Sequence, residues 1–284
     1  MSAPFLAAAV PIGPAGHDAA RLWAEAETGI RAAAQAGAGL AVLPELFAQP
    51  YVAAEPPGDW AHLAESDDGP TATRMRTAAM THGIAVLFGL TLRRDAGLPL
   101  NAALLARPDG RIETVATKIH LPPPGAGESY GELHHFAPGA TVVASVAVGG
   151  CNVAALICYD RRFPECWRVA AAAGADLVAV LVGGPAPGDP LGLYAAELQA
   201  SARANAVYAL AAARYGTETV SGRPVRHDGE TIAFDPDGAP ITTGSGLLLV
   251  PVEHDRLAHA RDNNATARRL RLPSMTVKEA SWLN

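Results

Sequence analysis

The chain has 284 residues, 49% hydrophobic and 18% charged, with a formal net charge of −6. A chain of this length buries about three quarters of its unfolded surface in one core, so one large domain is the simplest reading, and the missing basic footprint argues against a nucleic-acid partner. The three cysteines, at 151, 158 and 166, cannot all pair within the chain and match no zinc-ligand spacing, which suits a reducing, cytoplasmic compartment.

Residues 5–10 read as a first strand. Residues 18–36 read as a helix, with Leu22, Trp23, Ala26, Ile30 and Ala33 near one face and Gly37 and Gly39 ending it. A strand at 40–44, a short helix at 59–64 and a helix from Gly69-Pro70 to His82-Gly83 follow. Residues 84–92 form a strong apolar strand, and 101–106 and 111–118 flank Pro108-Asp109-Gly110, a hairpin-type turn. Beyond the proline-rich loop at 122–127, strands at 142–148 and 152–158 pair around Gly149-Gly150. This apolar stretch reads as two sheet strands around a turn, not as a membrane span. The N-terminus lacks a basic stretch followed by an apolar run with a cleavage site.

Pro164 can open a helix, because the N–H it lacks would be unpaired there anyway. A strand at 176–182, a helix at 191–204 and a strand at 206–212 come next. Strands at 231–234 and 246–252 lie either side of the turn 235–238, and 253–262 is a late helix. The Pro-Asp-Gly turn recurs at 108–110 and 236–238, each time after a strand, which hints at two related halves. The tail carries Arg268, Arg269 and Arg271 with few large apolar groups. Residues 1–262 are therefore expected to form the domain, and 263–284 an extension over the surface or a partner subunit.

Three residues at the ends of apolar runs carry chemistry. Glu45 ends Leu40-Ala-Val-Leu-Pro-Glu45, Lys118 closes the strand before Ile119-His120-Leu121, and Cys158 closes Asn152-Val-Ala-Ala-Leu-Ile-Cys158. Taken singly they are compatible with a surface or capping carboxylate, a solvated lysine and a core thiol. Gathered at one sheet edge they would make a thiol amidohydrolase. The carboxylate takes the thiol proton, the lysine stabilises the oxyanion, and the strand–turn–helix around Cys158 resembles a nucleophile elbow.

These segments resemble the nitrilase, or carbon–nitrogen hydrolase, family. Its Glu-Lys-Cys triad maps onto Glu45 in Leu43-Pro44-Glu45-Leu46-Phe47, Lys118 in Lys118-Ile119-His120-Leu121, and Cys158 in Ile157-Cys158-Tyr159-Asp160. Phe136-Ala137-Pro138-Gly139 and Arg203-Ala204-Asn205 agree as well. The resemblance implies an α/β fold, a four-layer α-β-β-α sandwich, and a homodimer or higher homo-oligomer. It implies no metal or organic cofactor. A second catalytic glutamate maps onto Glu132, with Glu128 a rival in the same loop.

The run Asp160-Arg161-Arg162-Phe163-Pro164-Glu165 resembles N-carbamoyl-D-amino-acid amidohydrolases, in which two arginines hold the substrate carboxylate. His120, Tyr159, Arg161 and Arg162 are the substrate-binding residues implied. The bland alternative pairs the arginines with Asp160, Glu165 or a helix carboxylate. Departures from that subgroup are Tyr130 in place of a histidine, Tyr159 in place of an asparagine, and Gly183-Gly184-Pro185-Ala186-Pro187 in place of Asn-Thr-Pro. The expected substrate is a small amide or ureido compound, foremost an N-carbamoyl amino acid, with an ω-amide or aliphatic amide as the alternative. An inactive scaffold is the non-enzymatic reading.

Overall fold

A computed structural model of the chain describes residues 4–14, 19–140, 144–184, 189–242 and 247–268. The first half runs β1 (Phe5–Ala9), α1 (Ala19–Gln35), β2 (Leu40–Val42), α2 (Pro57–Trp60), α3 (Pro70–His82), β3 (Ala85–Leu92), β4 (Leu100–Ala106) and β5 (Ile112–Thr117). After α4 (Glu132–His135), the second half opens with β6 (Ser145–Val148), β7 (Cys151–Ile157), α5 (Pro164–Ala172), β8 (Leu177–Val182) and α6 (Leu193–Asn205). It continues with β9 (Tyr208–Ala213), β10 (Gly216–Val220), β11 (Arg223–His227), β12 (Ile232–Phe234) and β13 (Pro240–Ile241). Then β14 (Leu248–Val252) returns to the first sheet, followed by α7 (His254–Asn263) and α8 (Ala265–Arg268).

The two large sheets run β14-β1-β2-β3-β4-β5 and β6-β7-β8-β9-β12-β13, with β10–β11 a separate hairpin. Taken from those ends, both sheets repeat one pairing order: antiparallel, parallel, parallel, antiparallel, antiparallel. The turns at 108–110 and 236–238 fall at equivalent places, between β4 and β5 and between β12 and β13. The two related halves hinted at by that repeat are present in the fold.

Successive strand side chains face opposite ways, which sorts the apolar residues into layers. Ala9, Val42 and Leu87 of the first sheet meet Ala155, Leu181 and Leu210 of the second in a shared buried core. Residues of opposite parity, including Ala8, Val86 and Phe88, pack under Leu22 and Ile30 of α1 and Met75 of α3. Val178, Val180 and Ala211 pack under Trp167 of α5 and Leu198 of α6. The result is the four-layer α-β-β-α sandwich. Strands covered on both faces need continuous apolar runs, which explains why β3, β8 and β9 show no polar alternation.

Several boundaries differ from the sequence reading. Cys158 does not close β7; it opens a 3-10 turn, Cys158–Arg162. Residues 132–135, read as loop, form one helical turn. The hairpin β10–β11 has no counterpart in the sequence reading. Its strands carry mostly exposed polar residues around inward-facing Glu218 and His227, a pattern that imitates a loop. In the stretch read as a C-terminal extension, α8 is helical and packs against α6 and α7, and residues 269–284 lie outside the described residues. Among the described residues no helix is long and apolar enough to cross a membrane.

Candidate active site

The thiol sits on a strained turn. Cys158 has φ 45, the left-handed region that costs an L-residue roughly 1–2 kcal/mol. The turn is tied down on several sides. The Arg161 guanidinium donates to the Cys158 carbonyl at 3.1 Å, and the Trp167 indole N–H donates to the Arg161 carbonyl at 2.8 Å. Asp160 accepts from the Ile119 and His120 backbone N–H groups at 3.2 and 2.9 Å, which joins the elbow to the segment just after Lys118. Leu46, next to Glu45, is also left-handed, with φ 46.

Three charged side chains converge behind the thiol. Lys118 Nζ donates to Glu45 Oε1 at 2.7 Å and to Glu132 Oε2 at 2.6 Å. All three residues are essentially sealed from solvent, at 0%, 1% and 1% exposure for Glu45, Lys118 and Glu132. Asn101 Nδ2 donates to Glu45 Oε1 at 2.7 Å and more weakly to Glu132 Oε2 at 3.4 Å. The Gly183 N–H donates to Glu45 Oε2 at 3.0 Å, and Tyr51 Oη donates to Glu132 Oε1 at 2.8 Å. Glycine is required where the chain passes Glu45. A Cβ on Gly89 would lie 2.4 Å from Leu46 N, and one on Gly183 would lie 2.7 Å from Glu45 O.

The electrostatics follow from burial and from these pairs. Burial pushes the Cys158 thiol up, Glu45 adds to that, and Lys118 and Arg161 oppose it; the pKa settles at about 11. The thiolate fraction at pH 7 is then on the order of 1 in 10,000, so attack requires a base. Burial alone would lower the Lys118 pKa, but Glu132 and Glu45 outweigh it and hold the ammonium charged. Burial raises the Glu132 carboxyl, with Lys118 pulling against it.

A cavity of about 660 Å³ opens in front. Cys158, Glu132, Tyr51, Tyr159, Arg161 and Arg162 are in its wall, while Glu45 and Lys118 lie just behind it. Both arginines are already paired. Arg161 meets Glu197 of α6 at 3.1 Å and packs over the Tyr194 ring. Arg162 pairs with Asp189, has Glu197 at 3.8 Å and lies over the Tyr159 ring. The helix-carboxylate alternative therefore describes Arg161, whereas the closer partner of Arg162, Asp189, precedes α6. His120 is not in the wall; its Nδ1 lies 2.8 Å from Asp160 and its ring stacks on Phe163.

The loop rivals are committed elsewhere. Glu128 accepts from the Gly125 N–H at 3.0 Å. His134 Nδ1 accepts from the Gly131 N–H at 3.1 Å, and His135 bonds the Glu55 carbonyl at 2.9 Å. His120, Asp160 and Cys166 place three potential ligand atoms within 4.8 Å. Both Asp160 oxygens already accept backbone N–H groups, so hydrogen bonding accounts for that cluster without an ion. None of the three cysteines is disulfide-bonded.

Tyr51, Asn101 and Gly183 escaped the sequence reading. Asn101 could have been found. It lies seven residues before Pro108 and Lys118 eight after Gly110, the extra residue being taken up by the register shift at Ala103/Leu104, and Lys118 N donates to the Asn101 carbonyl at 2.8 Å. Asn101→Ala should cost about 1.5–3 kcal/mol in urea unfolding, since its amide serves charged acceptors. It should also cut kcat about tenfold.

The sandwich, with Glu45, Lys118 and Cys158 gathered at one end of its sheets, is the arrangement expected of a carbon–nitrogen hydrolase acting on amides. The chain belongs to the carbon–nitrogen hydrolase family, whose sequence profile matches residues 6–250. It is 34% identical over 235 residues to the Pseudomonas protegens protein named "Hydrolase in pqqF 5'region", covering 80% of this chain and 76% of that one. It is 29% identical over 255 residues to a citrullinase from Francisella tularensis, covering 84% and 85%. A crystal structure of an amidase from Nesterenkonia sp. AN1 with acrylamide superposes with a TM-score of 0.74 at 27% identity, covering 94% of this chain and 97% of that one.

Proposed function

We propose that the chain hydrolyses the C–N bond of a small linear amide or ureido compound through a covalent intermediate on Cys158. The observation that carries this is the left-handed thiol in a cavity wall, with Glu132 in the same wall and Glu45 and Lys118 buried behind it. Glu45 takes the Sγ proton as sulfur bonds to the carbonyl carbon and the C=O electron pair moves to oxygen. Lys118 spends two of its three N–H bonds on carboxylates, leaving one for that oxygen. The Tyr159 backbone N–H, next along the elbow, is the second donor. On collapse, the departing nitrogen takes a proton from Glu45, or from Glu132 relayed through Lys118. Water deprotonated by Glu45 then cleaves the thioester or thiocarbamate and restores the thiol.

The far end of the substrate is the finer question. With Arg161 and Arg162 neutralised by Glu197 and Asp189, and Arg226 by Asp228, Glu230 adds a further carboxylate to the wall, and the geometry favours a neutral or amine-bearing substrate. The acrylamide-bound amidase fits this reading. An N-carbamoyl amino acid is the second reading, favoured by half-buried Arg162 at the cavity wall and by the likeness to a citrullinase. Its carboxylate would have to displace Asp189.

Ammonia release from aliphatic amides, ω-amides, carbamoyl amines and N-carbamoyl amino acids separates the two. The first reading expects the uncharged and amine-bearing compounds to lead, with Arg162→Ala changing their kcat/KM by less than about threefold. The second expects N-carbamoyl acids to lead and to lose about 30-fold or more in that variant, the scale of a broken buried charge pair. No ammonia from any of them overturns the proposal.

A further inference from the structure

Behind the catalytic cluster lies a second buried charge network that the mechanism above does not use. Glu218 of β10 accepts from both sides. Arg214 Nη2 reaches its two oxygens at 3.1 Å each, the Tyr51 N–H reaches Oε1 at 2.8 Å, and His227 Nε2 lies 3.0 Å from Oε1. The other ring nitrogen of His227, Nδ1, meets the Gly183 carbonyl. Arg214, Glu218 and His227 are all buried.

The proton count follows from the partners. A carbonyl oxygen only accepts, so Nδ1 carries a hydrogen. Burial alone would push the Glu218 carboxyl up, but the His227 bond, Arg214 and the Tyr51 N–H hold it down at about 2, so Glu218 is an acceptor-only carboxylate. The ring bridges Glu218 and Gly183. The ionisable groups around it are Glu218 and, beyond that, Arg214; the Tyr51 ring edge-on at 6.4 Å; and Glu45 on the far side of Gly183.

Gly183 joins this network to the catalytic one, since its N–H is the donor that Glu45 Oε2 accepts. It has no side chain to fix it, and a Cβ there would strike Glu45. Tyr51 is a second link: its N–H is held by Glu218 and its hydroxyl by Glu132.

We propose that His227 is a positioning residue for the base: anchored on Glu218, it holds Gly183 so that the glycine N–H fixes the orientation of Glu45. This rests on Glu45 being the base of the Cys158 reaction. His227 touches neither the thiol nor the substrate cavity; it acts through one glycine.

The test compares wild type with His227→Phe, which keeps a ring without donors, and His227→Gln, which keeps one amide. Each is assayed for kcat and KM on a small amide, and for the rate of Cys158 alkylation by iodoacetamide, located by mass spectrometry. Thermal melts establish folding, and the Gln variant decides if the Phe variant does not fold. The expected result is a loss of about 10- to 100-fold in kcat for the Phe variant. KM should stay within about twofold, the Gln variant should fall between, and alkylation should slow in parallel. In a Glu45→Gln background the His227 substitutions should change alkylation by less than about twofold, because the group they orient is gone. Folded variants with wild-type kcat and alkylation overturn the inference. So does an equal loss in the Glu45→Gln background, which would mean general loosening. A chain that releases no ammonia from any amide but shows this alkylation pattern supports the inference while overturning the substrate reading.

Discussion

Cys158→Ala should give a folded protein whose ammonia release falls by about 10,000-fold or more, to the level of the uncatalysed reaction. The size of the effect follows from the absence of a substitute. Cys151 and Cys166 are buried outside the cavity wall, and burial pushes each of their thiols up to about 12. The thermal melt should move little, because alanine keeps the same backbone conformation and loses one atom at the cavity surface. Cys158→Ser tests the same point from the other side. It restores a nucleophile of the right shape but a poorer one, and should recover only a trace of the lost rate.

Lys118→Met should be the most destabilising single change in the site, at about 3–5 kcal/mol by urea unfolding. Methionine fills much the same space, but the Glu45 and Glu132 carboxylates are then buried together with no cation between them. The pH dependence carries the signature. Burial and mutual repulsion make the folded variant hold more protons on this pair than the unfolded chain does. Where the native state binds more protons, stability falls as pH rises. The variant should therefore have a higher urea midpoint at pH 5 than at pH 8, by a margin larger than in wild type. Equal pH profiles would show that the lysine is not what keeps the two carboxylates together. Activity should be lost at both pH values, since the oxyanion donor is gone.

Much of this site was legible because catalytic groups at sheet ends follow apolar runs that burial makes unmistakable. Glu45, Lys118 and Cys158 each come at or just after such a run, and the paired Pro-Asp-Gly turns hint at the doubled architecture. Glu132 was reachable only by resemblance, since nothing in its own surroundings distinguishes it from Glu128; the fold separates them by burying one and leaving the other on Gly125. The partners of Arg161 and Arg162 were not legible. Glu197 is 36 and 35 residues away from them along the chain, and only the packing of α6 on the elbow brings it there. His227 and Glu218 were missed for another reason. An exposed hairpin with a proline in it, Arg223-Pro224-Val225-Arg226-His227, reads as a loop, and the inward direction of its last residue is set by tertiary contacts alone.

The pairing of β1 with β14, Phe5 opposite Val252, has a consequence for biosynthesis. One edge of β1 stays open on the ribosome until residues 248–252 have been made. Nascent chains arrested short of residue 248 lack that covering strand and leave the apolar edge of β1 unpaired. Pairings of such long sequence separation also form slowly once the chain is released. The first sheet is therefore most exposed before β14 emerges, when chaperone capture of the unfinished sheet competes with its self-association.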